Sequence, residues 1–113
     1  MLTTVAETPE YGRRAERLFS AAERTEIVEY LAASPRAGDV MQGTGGVRKL
    51  RWARGGRGKS GGARVIYYFH SEAMPLYLLT VFGKNEKANL SKAERNDLAR
   101  LAGMLKTSVE RNR

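Results

Sequence analysis

The chain has 113 residues and a mass of 12.6 kDa, which suits one domain spanning residues 1–113, and 42% hydrophobic with 28% charged residues excludes wholesale disorder. Twenty Lys and Arg against twelve Asp and Glu give a net charge of +8 and point to an anionic partner, nucleic acid first. The absence of cysteine excludes disulfide scaffolds, thiol nucleophiles and cysteine-based zinc sites, and the single histidine, His70, removes multi-histidine metal sites.

The opening MLTTVAETPE is neither basic nor apolar enough for a signal peptide, and no apolar run approaches the ~18 residues of a membrane span, so a cytoplasmic protein away from membranes is expected. Residues 2–7 suit a short strand. Thr8-Pro9 then reads as a helix N-cap followed by Pro at the first helical position. Ser20-Ala21-Ala22-Glu23 is a capping box that opens a helix to about Ala33, with Ile27, Val28 and Leu31 as its apolar stripe. Ser34-Pro35 ends it, because the residue before Pro resists the helical region. Residues 36–46 read as a glycine-rich loop. VRKLRWA at 47–53 alternates with period two, placing Leu50 and Trp52 on one side and Lys49 and Arg51 on the other. ARVIYYFH at 63–70 is a strand, Ser71 to Pro75 a turn, and LYLLTVFG at 76–83 a strand apolar on both faces and therefore central. Ser91-Lys92-Ala93-Glu94 is a second capping box, followed by Leu98, Leu101, Ala102, Leu105 and Val109 at helical spacing. The order β-α-α-β-β-β-α makes an α+β fold, helices packed on a small twisted, mainly antiparallel sheet.

The charge is concentrated. No acid interrupts the 32 residues between Asp39 and Glu72, which hold Arg48, Lys49, Arg51, Arg54, Arg57, Lys59 and Arg64 and eight of the twelve glycines. In the strand after the glycine run, Val65, Tyr67 and Phe69 form one set and Arg64, Ile66, Tyr68 and His70 the other; parity leaves open which set is buried. One arrangement gathers Arg64, Tyr68 and His70 beside Lys49 and Arg51 on an open sheet face, where cations grip phosphates and rings stack on unpaired bases. The bland counterpart is a solvated basic face whose tyrosines complete the core.

GGRGKS approaches the phosphate-binding pattern G-x-x-x-x-G-K-S/T, but Ala53 stands where the first Gly is required and the segment joins two strands. A basic flap or simple connector is the expected role of 54–62. His70, the single histidine, is commonly an ordinary surface residue at such a strand end. Glu86, between Lys84 and Lys87, reads as a solvated loop charge, a base, or an organiser of its cationic neighbours.

The runs GTGGVRKLR, RVIYY and FGKNE, in this order, resemble the RelE superfamily of bacterial toxins, the HigB-like branch most closely, over nearly the whole chain. The resemblance implies a compact endoribonuclease that enters the ribosomal A site, cleaves mRNA and inhibits translation. It also implies a cognate antitoxin, usually with a helix-turn-helix, through which alone operator DNA is bound. By position, Arg64 matches the family's catalytic strand arginine, Lys49 and Arg51 the basic pair on the preceding strand, and Lys84 the basic motif after the last strand. Cleavage needs the 2′-hydroxyl to attack the adjacent phosphate while cations stabilise the growing charge, and the Arg64 fork can meet two oxygens at once. Neither metal nor other cofactor is expected. Some relatives carry an arginine and a tyrosine where this chain has Asn85 and approximately Leu90-Ser91, so Tyr68, His70 and Glu86 stand as acid–base candidates. Arg48, Arg54, Arg57, Lys59 and Lys87 are expected to contact RNA or the ribosome. The competing readings are a non-catalytic RNA- or ribosome-binding module and a same-fold toxin that acts on DNA gyrase, as in the ParE branch.

Overall fold

The computed structural model describes residues 2–53 and 62–111. The expectations for Arg54, Arg57, Lys59 and the 54–62 connector fall outside these residues, Gly62 excepted. The elements run β1 (Val5–Glu7), α1 (Pro9–Leu18), α2 (Ala21–Ala33), β2 (Asp39–Val40), β3 (Val47–Trp52), β4 (Ala63–Tyr68), β5 (Leu76–Gly83) and α3 (Lys92–Arg111). The sheet order is β1-β5-β4-β3-β2, antiparallel except where β1 lies parallel to β5. No helix among the described residues is long and apolar enough to cross a membrane.

The expected caps form. The Thr8 hydroxyl accepts the Tyr11 N–H at 3.2 Å and donates to the Leu79 carbonyl at 2.8 Å, which ties the start of α1 to β5. Ser20 and Glu23 exchange both bonds of a capping box at the start of α2. Ser91 and Glu94 do the same at α3. Each box satisfies amide groups that the first helical turn leaves without partners.

The GTGG run proves to be a hairpin connection rather than an irregular loop. It joins β3 to β2, a two-residue edge strand within the stretch read as loop. Gly43, Gly45 and Gly46 sit at φ of 78°, 72° and 111°, a region side chains avoid. The fully buried Thr44 closes the turn: its hydroxyl donates to the Met41 carbonyl at 2.6 Å and accepts the Val47 N–H at 3.1 Å.

Two cores form, one on each face of the sheet. Tyr11, Ala15, Ile27 and Leu31 of α1 and α2 pack on Leu50, Val65, Tyr67, Leu76, Leu78 and Val81. On the other face, Ala102 with Leu98, Leu101, Leu105 and Val109 of α3 packs on Val47, Ile66, Tyr68, Leu79 and Phe82. The expectation of one open face is therefore corrected: α3 covers much of the face that carries Lys49, Arg51 and Arg64. The physical reason is that β4 is apolar on both sides, every residue from Ala63 to Tyr68 being buried, and such a strand must be covered twice.

A buried tie closes the far edge of the first core. The Tyr67 hydroxyl accepts the Gly38 N–H and donates to the Pro35 carbonyl, both at 2.8 Å. Gly38 is needed for approach, since a Cβ there would lie 2.8 Å from the Tyr67 ring and 3.0 Å from the Lys49 carbonyl. Tyr67→Phe leaves the buried Gly38 N–H without a partner. It should lower the unfolding free energy by about 1–3 kcal/mol in a urea titration with unchanged slope. A change below about 0.5 kcal/mol would mean that the tie contributes little.

Candidate phosphate-binding site

The register of β3 on β4 sets Arg51 directly opposite Arg64, and that of β4 on β5 sets Arg64 opposite Phe82. Directly opposed residues share a face, here the α3 side, at the end of the sheet where β5 stops. Arg64 is 9% exposed and forms the floor, its Nη1 donating to the Ala63 carbonyl at 3.3 Å. Arg51 is exposed at the rim. Among the described residues neither arginine has an acidic partner. Like charges in direct cross-strand opposition cost stability, and an anion between them would offset that cost.

A bulge brings a third cation to this face. Ile66 pairs with Thr80 but Tyr67 with Leu78, so Leu79 is an extra residue in β5. Alternation counted from Tyr77, which faces α3, would turn Phe82 and Lys84 toward α1 and α2. The extra residue reverses the parity: Val81 packs in the first core and Phe82 in the second. Lys84 follows Phe82 by two, and its N–H continues the ladder to the Gly62 carbonyl at 3.1 Å. The exposed Lys84 thus falls on the Arg64 face.

Lys49 lies on the same face two residues before Arg51, half-buried, with Asp39 of β2 directly opposite. It borders the cluster with its charge partly offset. Arg48 points to the other face, where its Nη1 donates to the Gly38 carbonyl at 2.7 Å and the Arg36 carbonyl at 3.2 Å, so its guanidinium holds the loop after α2. Lys87 pairs with Glu94 and lies 5.3 Å from the centre of the Phe82 ring. Both contacts fasten the start of α3 to β5.

The acid–base candidates are dispersed. Tyr68 stands four residues along β4 from Arg64, ~13 Å at the usual strand rise, and His70 lies beyond the end of β4, which stops at Tyr68 rather than at residue 70. Tyr68 is 2% exposed beneath α3, and burial, then the charge of Glu110, raises its pKa and keeps the phenol protonated. The exposed His70 ring stacks beside it, 6.4 Å between centres. Glu86 accepts the Gly83 N–H at 3.0 Å and faces Arg14 of α1 at 3.7 Å, at the cluster's own end of the sheet.

Residues 16–112 match the family described as the RelE toxin of the RelE/RelB toxin–antitoxin system. The chain belongs to the RelE toxin family. It is a toxin of a toxin–antitoxin pair, and membership implies a cognate antitoxin as partner. Among solved structures it is similar to the E. coli toxin RelE, in a double arginine-to-alanine form in the free state. The TM-score is 0.52 at 15% identity, over 78% of this chain and 90% of that one. At this identity the likeness establishes the fold, helices packed on a mostly antiparallel sheet.

In this RelE-family toxin two electrostatic features are separable. Arg51→Gln removes the like-charge opposition and should raise the unfolding free energy by about 0.2–1 kcal/mol at low salt, a gain that shrinks as phosphate is added. An unchanged or lowered stability would show that the two guanidiniums do not oppose each other in solution. Glu94 has its pKa lowered from 4.5 to about 2, first by the hydrogen bond from Lys87 and then by the Ser91 N–H. A lowered carboxylate pKa contributes stability that is full above 4.5 and is lost as pH falls toward about 2. Glu94→Gln keeps the acceptor for Ser91 but abolishes the titration. Its melting temperature should therefore fall less than that of the unchanged protein between about pH 5 and pH 2.5. Equal falls would remove the Lys87–Glu94 pair from the account.

Proposed function

We propose that this toxin is an endoribonuclease that cleaves mRNA in the ribosomal A site, without a metal, and thereby stops translation. The observation that carries the proposal is the directly opposed Arg51 and Arg64, joined on one face by Lys84 and bordered by Lys49. Such a cluster fits a phosphodiester held from two sides. The 2′-oxygen bonds to phosphorus as the P–O5′ bond breaks, leaving a 2′,3′-cyclic phosphate and a 5′-hydroxyl. The 2′-hydroxyl proton passes to solvent water, and the departing O5′ gains one from the protein. Arg64, low in the site and planar, suits the two non-bridging oxygens, where charge grows most. Arg51 approaches from the rim. The exposed Lys84 ammonium is the described group best placed to give O5′ its proton, and Lys49 orients the strand. Tyr68 and His70 lie too far from Arg64 for a direct part. HigB-like sequence runs agree with this reading, as does the surplus of positive charge.

The antitoxin, proposed to carry a helix-turn-helix, would cover the basic end and alone connect the complex to operator DNA. Steering by opposite charge would speed its capture.

The test incubates the protein with programmed ribosomes, maps mRNA ends by primer extension, and runs naked mRNA in parallel. Cuts are expected only on ribosomes. Arg64→Lys and Arg64→Ala, checked for folding by thermal melts, should slow cleavage by roughly 100-fold or more. Intact mRNA with inhibited DNA supercoiling would contradict the nuclease reading and favour a gyrase-directed toxin. Tight, salt-sensitive binding without product would favour a plain RNA binder.

A further inference from the structure

We infer that Glu86, braced by Arg14 of α1, is a positioning residue that holds Lys84 in place beside Arg64; this rests on the nuclease reading above. The turn after β5 is closed at both ends by one side chain and its own backbone. The Glu86 N–H donates to the Gly83 carbonyl at 3.0 Å, while the Glu86 Oε1 accepts the Gly83 N–H at 3.0 Å. Lys84 sits inside this double ring, and its own N–H is fixed to the Gly62 carbonyl at 3.1 Å, two residues before Arg64. The second carboxylate oxygen is taken up as well. Glu86 Oε2 lies 3.7 Å from Arg14 Nη1, and Arg14 Nε lies 3.6 Å from Glu10 Oε2, one helical turn back.

The brace has a reason in the topology. β1 pairs with β5 only as far as Leu78, so the last residues of β5 have no strand on that side. There α1 runs alongside, from Thr8 at Leu79 to Arg14 at Glu86. A strand end with one neighbour frays more readily than one with two, and a frayed Gly83 would carry Lys84 away from the phosphate. Glu86 supplies the missing partner for the Gly83 N–H.

The same geometry argues against Glu86 as the general base. Both its oxygens already face donors, one an amide and one a guanidinium. The two roles predict different behaviour on substitution. A brace needs an acceptor at Oε1, which glutamine keeps; a base needs a titrating carboxylate, which glutamine lacks.

The experiment compares Glu86→Ala, Glu86→Gln and Arg14→Ala with the unchanged protein in two measurements. One is amide exchange at Gly83 and Lys84 in the free protein. The other is single-turnover cleavage on programmed ribosomes, with ribosome affinity measured separately. Glu86→Ala should speed Gly83 exchange and slow cleavage roughly tenfold or more, the scale of a small misplacement, with affinity unchanged. Glu86→Gln should stay within about fivefold of the unchanged protein, the span of an exposed ion pair, and Arg14→Ala should resemble it. Gly83 exchange unaltered in Glu86→Ala overturns the brace. So does altered exchange with normal cleavage. A Glu86→Gln loss as large as that of Glu86→Ala, with loss of a limb in the pH–rate profile, makes Glu86 the base instead. Absence of cleavage by the unchanged protein is failure of the nuclease reading, and the exchange measurement then decides whether the turn is braced.

Discussion

Two guanidinium groups on directly opposed residues of neighbouring strands are an arrangement that folding alone would avoid. Arg51 and Arg64 stand directly opposite across β3 and β4 with like charge, and Arg64 is also largely removed from water. Each condition costs stability, and among the described residues no carboxylate offsets either. In the proposed reaction a phosphodiester entering between them would relieve both. On that proposal the protein would hold in place, before any ligand arrives, the positive charge that a developing phosphorane requires.

The rest of the fold makes this tolerable. A sheet packed on both faces gives a rigid platform, with α1 and α2 on one side and α3 on the other. β4 is buried throughout, Arg64 included. The Leu79 bulge then sets the parity by which Lys84, just after β5, falls on the Arg64 face rather than the opposite one. Lys87 and Glu94 close the gap between β5 and α3, and Arg14 with Glu86 does the same between β5 and α1. These charged pairs flank the turn that carries Lys84.

Much of this was legible in the residues. Capping boxes at Ser20 and Ser91, the stop at Pro35 and the alternation of β3 are local signals, and each corresponds to an observed boundary or face. Seven cations without an intervening acid marked the region in which the arginine pair lies. What escaped was non-local. The two-residue β2 is too short to carry a period, and the parallel pairing of β1 with β5 joins residues about seventy positions apart in sequence. The bulge leaves no trace in composition and alone decides where Lys84 falls. The open face failed for a reason that could have been read: Ile66 and Tyr68 alternate with Val65 and Tyr67, so both sides of β4 are apolar and both need cover. Tyr68 and His70, grouped with Arg64 by the residue pattern, lie four and six residues from it along the chain.

The most direct measurement is the structure of the toxin on a programmed ribosome whose mRNA carries a 2′-O-methyl group at the cleavage position. The scissile phosphate is expected between Arg51 and Arg64, with a non-bridging oxygen within about 3 Å of the Arg64 guanidinium and the Lys84 ammonium on the O5′ side. A scissile phosphate held elsewhere on the molecule, or a toxin bound away from the mRNA, would contradict it.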